Sequence, residues 1–328
     1  MLKRQIACAA AVLALAAFLA VGAGAEEKYP TRTVKFIVPL TLGTPPAVAL
    51  RVIAEKLQAT WGQPVVLESR LGASQNIAAD ALAKAEPDGY TLLFTPPAPL
   101  VIAKWMYKKL SFDPDTFTPV SVPFGYSMVL TIGPKVPATT LEELIAYAKA
   151  NPGKLNHAHP GVTSVPYLTV RALMHRTGMD MTHVAYQKLT TQGQLDLFAG
   201  LVHVILDPFV TGAIEQHLAG KLRIVATTSD TREPLLPDVP TISEVLPGFE
   251  MVEFYAITAP PKTPPALAEK ISRDIAEALR SPDVVERLRA LGYNKPVGGS
   301  PADLTKLIRN GNERWRDLIE SLGMTKSQ

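Results

Sequence analysis

The sequence predicts an α/β protein with mostly parallel sheets, and three stretches carry that prediction. Val34–Val38 is apolar except for Lys35 and is typical of a strand, and apolar residues at helical spacing follow it over 48–57. Residues 65–93 show the same alternation in a compact form. Met128–Ile132 is another apolar run and leads into a helical pattern over 141–150. Strands that alternate with helices in this way form mostly parallel sheets covered on both faces.

The stretch 65–93 is the most informative segment. Residues 65–67 are apolar and mostly β-branched, which favours a strand, and 72–76 are small and polar, which favours a loop. Apolar residues at helical spacing over 77–85 predict a helix, which Pro-Asp-Gly at 87–89 ends. A loop before a helix leaves backbone N–H groups unpaired, so 72–76 is a candidate anion site.

The remaining elements continue this alternation. Thr140 with Glu143 predicts a capping box for the helix over 141–150. Ser-Pro pairs at 281–282 and 300–301 predict two further helix starts, because serine caps a helix and proline fits its first position. The other predicted strands are 154–158, 181–185, 202–206 and 222–227, and the other predicted helices are 165–177, 192–199 and 266–279.

Residues 1–25 have the pattern of a cleaved signal peptide. Lys3 and Arg4 precede an apolar run, and Ala23-Gly24-Ala25 forms a small-residue cleavage site. The alternative is a membrane anchor that stays attached. Cys8, the only cysteine of the sequence, lies inside the apolar run, so the processed chain is expected to have no disulfide or cysteine-bound metal.

Composition narrows the classes of function. The formal net charge of +3 falls after removal of the two N-terminal cations, which leaves no strong field for nucleic acid or anionic membrane. No later run is long and apolar enough to span a bilayer. No cofactor motif is recognised. The length suggests about two domains of ordinary size.

The order of several short motifs resembles a known family. The segment 68–80 matches the pattern E-N-R-P-G-A-G-G-N-I-G-A-D at Glu68, Arg70, Gly72, Ala73, Asn76, Ile77, Ala79 and Asp80, and 87–93 match P-D-G-Y-T-L-L. Weaker matches continue over nearly the whole processed chain, among them 147–156, 236–241 and 247–250. This order is similar to that of the extracytoplasmic solute-binding proteins of tripartite tricarboxylate transporters, the Bug receptors.

The resemblance implies a fold, a location and a function. The fold would be the two-lobed periplasmic-binding-protein or Venus-flytrap arrangement, with 26–127 and 250–328 as lobe 1 and 128–249 as lobe 2. The function would be capture of a small organic carboxylate in the periplasm and delivery to membrane transporter subunits, by a monomer without catalytic residues or bound metal. Dicarboxylates, tricarboxylates, aromatic carboxylates and uncharged amides all remain open as ligands.

The resemblance also places the ligand contacts in loops at strand ends. The first candidate loop is 39–47, the second is 72–76, and the third is 159–164. The residues that follow from this placement are Thr41, Gly43, Thr44, Asn76, His159, Gly161, Thr163 and Ser164, together with Tyr186 and Asp207. Each has an ordinary structural role as its alternative: a rigid loop, a helix cap, a core tyrosine, or an acid that orients a neighbouring loop.

Two of these loops depart from the family pattern. Thr44-Pro45-Pro46-Ala47 stands where the family has a glycine and then Ser-Thr-Asp, so a carboxylate and backbone donors are lost. His159 and Val162 are unusual in the third loop, where the histidine either faces the ligand or the solvent. The ligand type of the family therefore does not transfer directly.

Three alternatives to a metal-free transport receptor remain: a metal site, an enzyme and a signalling receptor. His157 and His159 have i, i+2 spacing, which puts both on one face of a strand and suggests a metal site. A secreted hydrolase is possible in principle, although the sequence has no G-x-S-x-G elbow. A ligand-sensing receptor for a sensor kinase would keep the binding site and change only the output.

Overall fold

The computed structural model describes residues 29–186, 189–208, 211–249, 251, 253–293 and 296–328. The predicted signal peptide therefore lies outside the described residues. These residues form two β-sheets with helices packed on them, which confirms the α/β class and the two-lobed arrangement. Within the described ranges, no helix combines the length and apolar character that crossing a bilayer requires.

The larger sheet combines an early and a late part of the chain. Its strands are ordered β10-β4-β11-β3-β1-β2, with β12 paired to β4. They are β1 Val34–Val38, β2 Val65–Ser69, β3 Thr91–Thr95, β4 Thr118–Tyr126, β10 Glu253–Phe254, β11 Ala256–Ala259 and β12 Pro296–Gly299. The helices of this lobe are α1 Pro45–Trp61, α2 Asn76–Ala83, α3 Ala103–Met106, α9 Pro265–Arg280, α10 Pro282–Ala290 and α11 Pro301–Ser321.

The smaller sheet is built from the middle of the chain and is ordered β7-β6-β8-β5-β9. Its strands are β5 Met128–Ile132, β6 Leu155–His159, β7 Met181–Ala185, β8 Val204–Pro208 and β9 Arg223–Thr227. The helices of this lobe are α4 Leu141–Ala150, α5 Val165–Thr177, α6 Gln194–Ala199, α7 Thr211–Leu218 and α8 Ile242–Val245, and a π-helical turn at Leu189–Gly193 precedes α6.

The prediction of mostly parallel sheets is wrong, because both sheets are mixed. β1 is parallel to β2 and β3, and β6 is parallel to β7 and β8. The antiparallel strands adjoin the two places where the chain crosses between sheets. β5 enters the smaller sheet directly after β4 and runs against β8 and β9, while β10 and β11 return to the larger sheet and run against β4.

The two crossings lie side by side, because Glu253 at the start of β10 pairs with Tyr126 at the end of β4. Both are also hydrogen-bonded to Thr228, the residue that follows β9, and the Met251 N–H donates to the Thr228 carbonyl at 3.4 Å. The Met128 N–H donates to Thr228 Oγ1 at 2.8 Å, and the Thr228 N–H donates to the Met128 carbonyl at 2.9 Å. The Ser127 hydroxyl donates to the Glu233 carboxylate at 2.7 Å. The chain therefore passes between the lobes as a paired ribbon.

Buried apolar side chains continue from one lobe into the other. One cluster contains residues of the larger sheet, such as Phe36 and Phe94, and residues of the smaller sheet, such as Leu130 and Leu206. A second cluster, which includes Val129 and Ile205, covers the opposite face of the smaller sheet. The lobes are thus two layered units whose cores join at the crossings.

Helix starts follow the sequence signals with informative exceptions. Helix α1 begins three residues earlier than predicted, because proline at 45 and 46 fits a first turn whose N–H groups have no partner in the helix. Thr140 caps α4 as predicted, but the Glu143 carboxylate accepts from Thr139 rather than completing the box on Thr140. Ser300 caps α11 with a full capping box, whereas Ser281 makes no side-chain cap bond.

Replacement of a buried leucine tests the packing of α1 against the larger sheet. Leu50 is fully buried, so Leu50→Ala is expected to lower the free energy of unfolding by about 2–5 kcal/mol. Leu218, which is 72% exposed at the end of α7, is the matched control, and Leu218→Ala should change it by less than about 0.5 kcal/mol. Urea unfolding of both variants measures the difference, and equal losses would contradict the packing described here.

Candidate ligand-binding site

The parallel strands of each sheet end in loops at one edge. β1, β2 and β3 run together in the larger sheet, and β6, β7 and β8 do so in the smaller one. In open α/β sheets, ligands bind outside the carboxyl ends of such strands. The three candidate loops follow β1, β2 and β6, so the candidate site lies at these edges.

The second and third candidate loops meet where the lobes come together. A Cβ atom built on Gly161 would lie 2.7 Å from Ser74 Oγ, so a side chain at 161 would require Ser74 to move. Gly161 follows a strand of the smaller sheet, whereas Ser74 follows a strand of the larger one. The structure therefore brings two of the three predicted loops into contact across the lobes.

The second loop has an unusual backbone. Ala73, Ser74 and Gln75 have φ values of 46°, 49° and 80°, in the left-handed region that favours glycine. Each non-glycine residue there costs about 1–2 kcal/mol. Gly72 has a φ of 115°, and a Cβ on it would lie 2.7 Å from Ile77 Cδ1. Strained backbone of this kind is concentrated at functional sites.

Two amide oxygens of the second loop have no hydrogen-bond partner in the described part of the chain. They are Gln75 Oε1 and Asn76 Oδ1, and both are enclosed by protein atoms. Asn76 itself is buried at the first position of α2. An enclosed oxygen without a partner costs free energy, so a hydrogen-bond donor brought to this loop would be stabilising.

The third loop is held by its own polar groups. The Gly161 N–H donates to His159 Nδ1 at 3.1 Å, so the neutral imidazole carries its proton on Nε2, which is enclosed without a partner in the described residues. The Ser164 hydroxyl donates to the Gly161 carbonyl at 2.6 Å and caps α5, and Thr163 is buried. Ser164 thus stabilises the loop through its hydroxyl.

His159 is buried among other aromatic rings. His157 and His159 share one face of β6 as predicted, with ring centroids 5.7 Å apart, and Tyr167 lies 4.5 Å from His159. Burial lowers the pKa of His157 to about 3 and that of His159 to about 4. Among the residues that the structure describes, no group of three or more His, Cys, Asp or Glu side chains is arranged to hold a metal ion.

The first loop forms a turn on the larger lobe. The Thr44 hydroxyl and N–H both donate to the Thr41 carbonyl, at 2.8 and 3.0 Å. The turn therefore uses the Thr44 hydroxyl as a donor, and a contact of Thr44 with a ligand stays a prediction. The Thr41 side chain is exposed, and the space beside Gly43 is open.

Tyr186 is held inside the smaller lobe. Its hydroxyl donates to Asp196 Oδ2 at 2.6 Å, and this bond raises the pKa of Tyr186 to about 12. Its N–H donates to the His159 carbonyl at 2.8 Å. The side chain is half-buried, so its hydroxyl orients neighbouring groups within the lobe.

Asp207 is a buried acid near the junction of the lobes. It lies inside β8 and not after it, because β8 runs two residues further than predicted. Burial raises its pKa to about 7, against a smaller opposing effect of a hydrogen bond from Gln194. Its Oδ2 atom has no partner within the described residues.

Sequence reasoning did not select Ser74, Gln75 and Tyr255. Tyr255 lies between β10 and β11 of the larger sheet and stacks on Phe94 with centroids 4.9 Å apart. Burial raises the pKa of Tyr255, and the charge of Asp207 in the other lobe contributes to this rise. One sequence signal could have identified Ser74 and Gln75. They replace two glycines of the family pattern, and such a replacement predicts a loop that differs from that of the family.

Two open cavities lie away from this junction. One of about 580 Å³ is lined by Thr140, His217, Arg223 and Arg232 on the smaller lobe. Another of about 370 Å³ is lined by Leu42, Arg51 and Val66 on the larger lobe. The strand-end loops are in contact, and these cavities occupy surfaces of the individual lobes.

Comparison with known proteins gives consistent matches. Residues 49–324 match the profile of the tripartite tricarboxylate transporter family receptor. Protein BugT of Bordetella pertussis is 33% identical over 300 residues, which cover 90% of this chain and 91% of that protein.

Solved structures also resemble this chain. Rpa4515 from R. palustris with adipate has a TM-score of 0.84 and 31% identity, covering 90% of this chain and 99% of that one. MatC from Rhodopseudomonas palustris with bound malate has a TM-score of 0.81 and 32% identity, covering 89% and 100%. The likeness extends over both lobes, and the chain belongs to the family of tripartite tricarboxylate transporter receptors.

Proposed function

We propose that this protein is a periplasmic receptor that traps a small organic carboxylate between its lobes and delivers it to membrane transporter subunits. The contact of Gly161 with Ser74 carries this proposal, because it joins strand-end loops of the two sheets around one junction. The solved relatives hold adipate and malate, which are both carboxylates. Family membership places the chain among solute receptors rather than among enzymes.

The finer parts of the proposal rest on the sequence. They are export by a cleaved signal peptide over 1–25, lobe boundaries at 26–127 and 250–328 against 128–249, and a monomeric state. Ligand contacts are proposed at Asn76, Gly161 and Asp207, with Thr41, Gly43, Thr44, His159, Thr163, Ser164 and Tyr186 supporting or lining the loops.

The physical basis of capture is a difference in affinity between open and closed states. A ligand closes the lobes only to the extent that it binds the closed state better. In the closed junction, hydrogen bonds to a carboxylate are charge-assisted and shielded from water, so they are stronger than in an open cleft. The paired crossings, at Met128 on one segment and at Met251 and Glu253 on the other, are the proposed hinge.

Binding of carboxylates by the processed protein tests the function. At a ligand concentration of 100 times Kd, specific binding should add about 2.7 kcal/mol to the free energy of unfolding and raise Tm. A thermal-shift screen of mono-, di-, tri- and aromatic carboxylates, followed by calorimetry, measures this effect. Small-angle scattering should show a smaller radius of gyration with the ligand. Absence of any carboxylate binding, or chemical conversion of the compound bound, would contradict the proposal.

Uptake measurements separate transport from signalling. Cells that lack the membrane transporter subunits should lose uptake of the identified carboxylate while the purified receptor still binds it. A transcriptional response that persists in those cells, with uptake unchanged, would favour the sensor-kinase output.

A double-mutant cycle tests the contact across the lobes. Gly161→Ala places a Cβ against Ser74 Oγ and should weaken binding of the identified carboxylate by about tenfold or more, as a mispacked contact of 1–3 kcal/mol would. Ser74→Gly removes the opposing side chain, so Gly161→Ala should cost less affinity in that background. Calorimetry of the four proteins gives the coupling energy. Purely additive effects would show that the two residues do not meet in the bound state.

The pH dependence of stability tests the role of His159 in the third loop. His159 Nδ1 must be unprotonated to accept from Gly161, and burial among His157, His183 and Tyr167 lowers the pKa of His159 to about 4. Because its pKa is lower in the folded state, its contribution is present above pH 6.5 and is lost as the pH falls towards 4. The stability advantage of the wild type over His159→Phe should shrink over that range in urea unfolding. A constant difference would argue against a buried neutral imidazole.

A further inference from the structure

The three candidate loops contain no lysine and no arginine. The first loop 39–47, the second 72–76 and the third 159–164 offer backbone N–H groups, hydroxyls, amides and one histidine. A single carboxylate can be bound by such donors, as anions are at helix starts. The loops therefore provide donors for one carboxylate but no fixed cation that would favour a second.

The acid at the junction adds a negative group to this inventory. Asp207 is 9% exposed, it lies near the carboxyl end of β8 beside the parallel strand β6 that leads into the third loop, and its Oδ2 atom has no partner among the described residues. An ionised carboxylate in such a place is unfavourable until a cation or a strong hydrogen-bond donor reaches it. A second carboxylate brought to the same place would be repelled.

The second loop adds acceptors of the same kind. Gln75 Oε1 and Asn76 Oδ1 are enclosed and unpartnered within the described residues. Gln75 has a left-handed backbone conformation, which glycine would adopt at a lower cost in free energy. The Gln75 side chain is therefore present in the loop despite this conformational cost. Both lobes thus present oxygen atoms that lack a donor.

We propose that Asp207 is a specificity-determining residue and that the ligand carries an ammonium group as well as its carboxylate. This inference rests on the proposed function and narrows it, because it selects zwitterionic carboxylates over dicarboxylates of the same length. The ammonium pairs with Asp207 and satisfies the enclosed oxygen, while the carboxylate takes the N–H groups of the loops. Opening of the lobes gives the ligand access, since the enclosed oxygens are covered in the closed arrangement.

Matched series of compounds test this selection. ω-Aminocarboxylates, α,ω-dicarboxylates, ω-hydroxycarboxylates and simple monocarboxylates, each with three to six carbons, differ only in the terminal group. Calorimetry at pH 8 keeps Asp207 mostly ionised, given its pKa of about 7. At the carbon number that binds best, the ω-aminocarboxylate should bind at least tenfold more tightly than the dicarboxylate, with the ω-hydroxycarboxylate between them.

Two variants assign the selection to this carboxylate. Asp207→Asn keeps the shape and removes the charge, so it should weaken binding of the ω-aminocarboxylate by about tenfold or more, as loss of a hydrogen bond to a charged group does. It should also improve binding of the dicarboxylate. Asp230→Asn, which removes the same charge from an exposed position of the smaller lobe, should change neither affinity.

The outcomes separate this inference from the function on which it rests. Tighter binding of dicarboxylates than of ω-aminocarboxylates at every length, or an unchanged preference in Asp207→Asn, overturns the inference and leaves the carboxylate receptor in place. Failure of every carboxylate to bind overturns both. A circular dichroism spectrum and an unfolding midpoint for each variant verify that it is folded.

Discussion

The paired crossing between the two sheets is the constraint on which the rest of the structure depends. The pairing of Tyr126 with Glu253 holds the two connecting segments side by side, and Met128 and Met251 are both hydrogen-bonded to Thr228 at the end of β9. Because the chain enters each sheet from this ribbon, the adjoining strands β5, β10 and β11 run against their neighbours. The same arrangement leaves the loops after β2 and β6 on facing edges, where Ser74 meets Gly161. Sheet topology and the position of the candidate site thus have one origin.

Local patterns predicted most elements because their causes are local. The strand Val34–Val38 and the helix after Thr140 are determined by side-chain alternation and capping, which neighbouring residues supply. Strand direction was mispredicted because it depends on where the chain crosses between sheets, and no residue spacing encodes that. The extension of β8 to Pro208 was also missed because it depends on a partner strand. The pairing of β8 with β5 continues to Met128, beyond the apolar run that marks β8 in the sequence.

The sequence predicted which loops form the candidate site better than it predicted which polar side chains are free to bind a ligand. Motif order placed Asn76, Gly161 and Asp207 at strand ends, and the structure puts Gly161 at the contact between lobes. The sequence did not predict which polar groups are free to bind a ligand. The hydroxyls of Thr44 and Ser164, for example, donate to backbone carbonyls three residues earlier in the chain. Tyr255 was not selected because the charge of Asp207, which contributes to its raised pKa, belongs to the other lobe, and no single-sequence pattern reveals such a relation.

The insertion of β11 between β3 and β4 also governs the order in which the molecule can be assembled. β3 and β4 each pair with β11. Residues 256–259 of β11 are synthesised only after all strands of the smaller sheet. During synthesis from the N-terminus, all residues of the smaller sheet are therefore available before the larger sheet can be completed. Until then β3 and β4 carry open edges, which invite association with other chains. Protection of these edges until residues 256–259 are available is thus a requirement built into this topology.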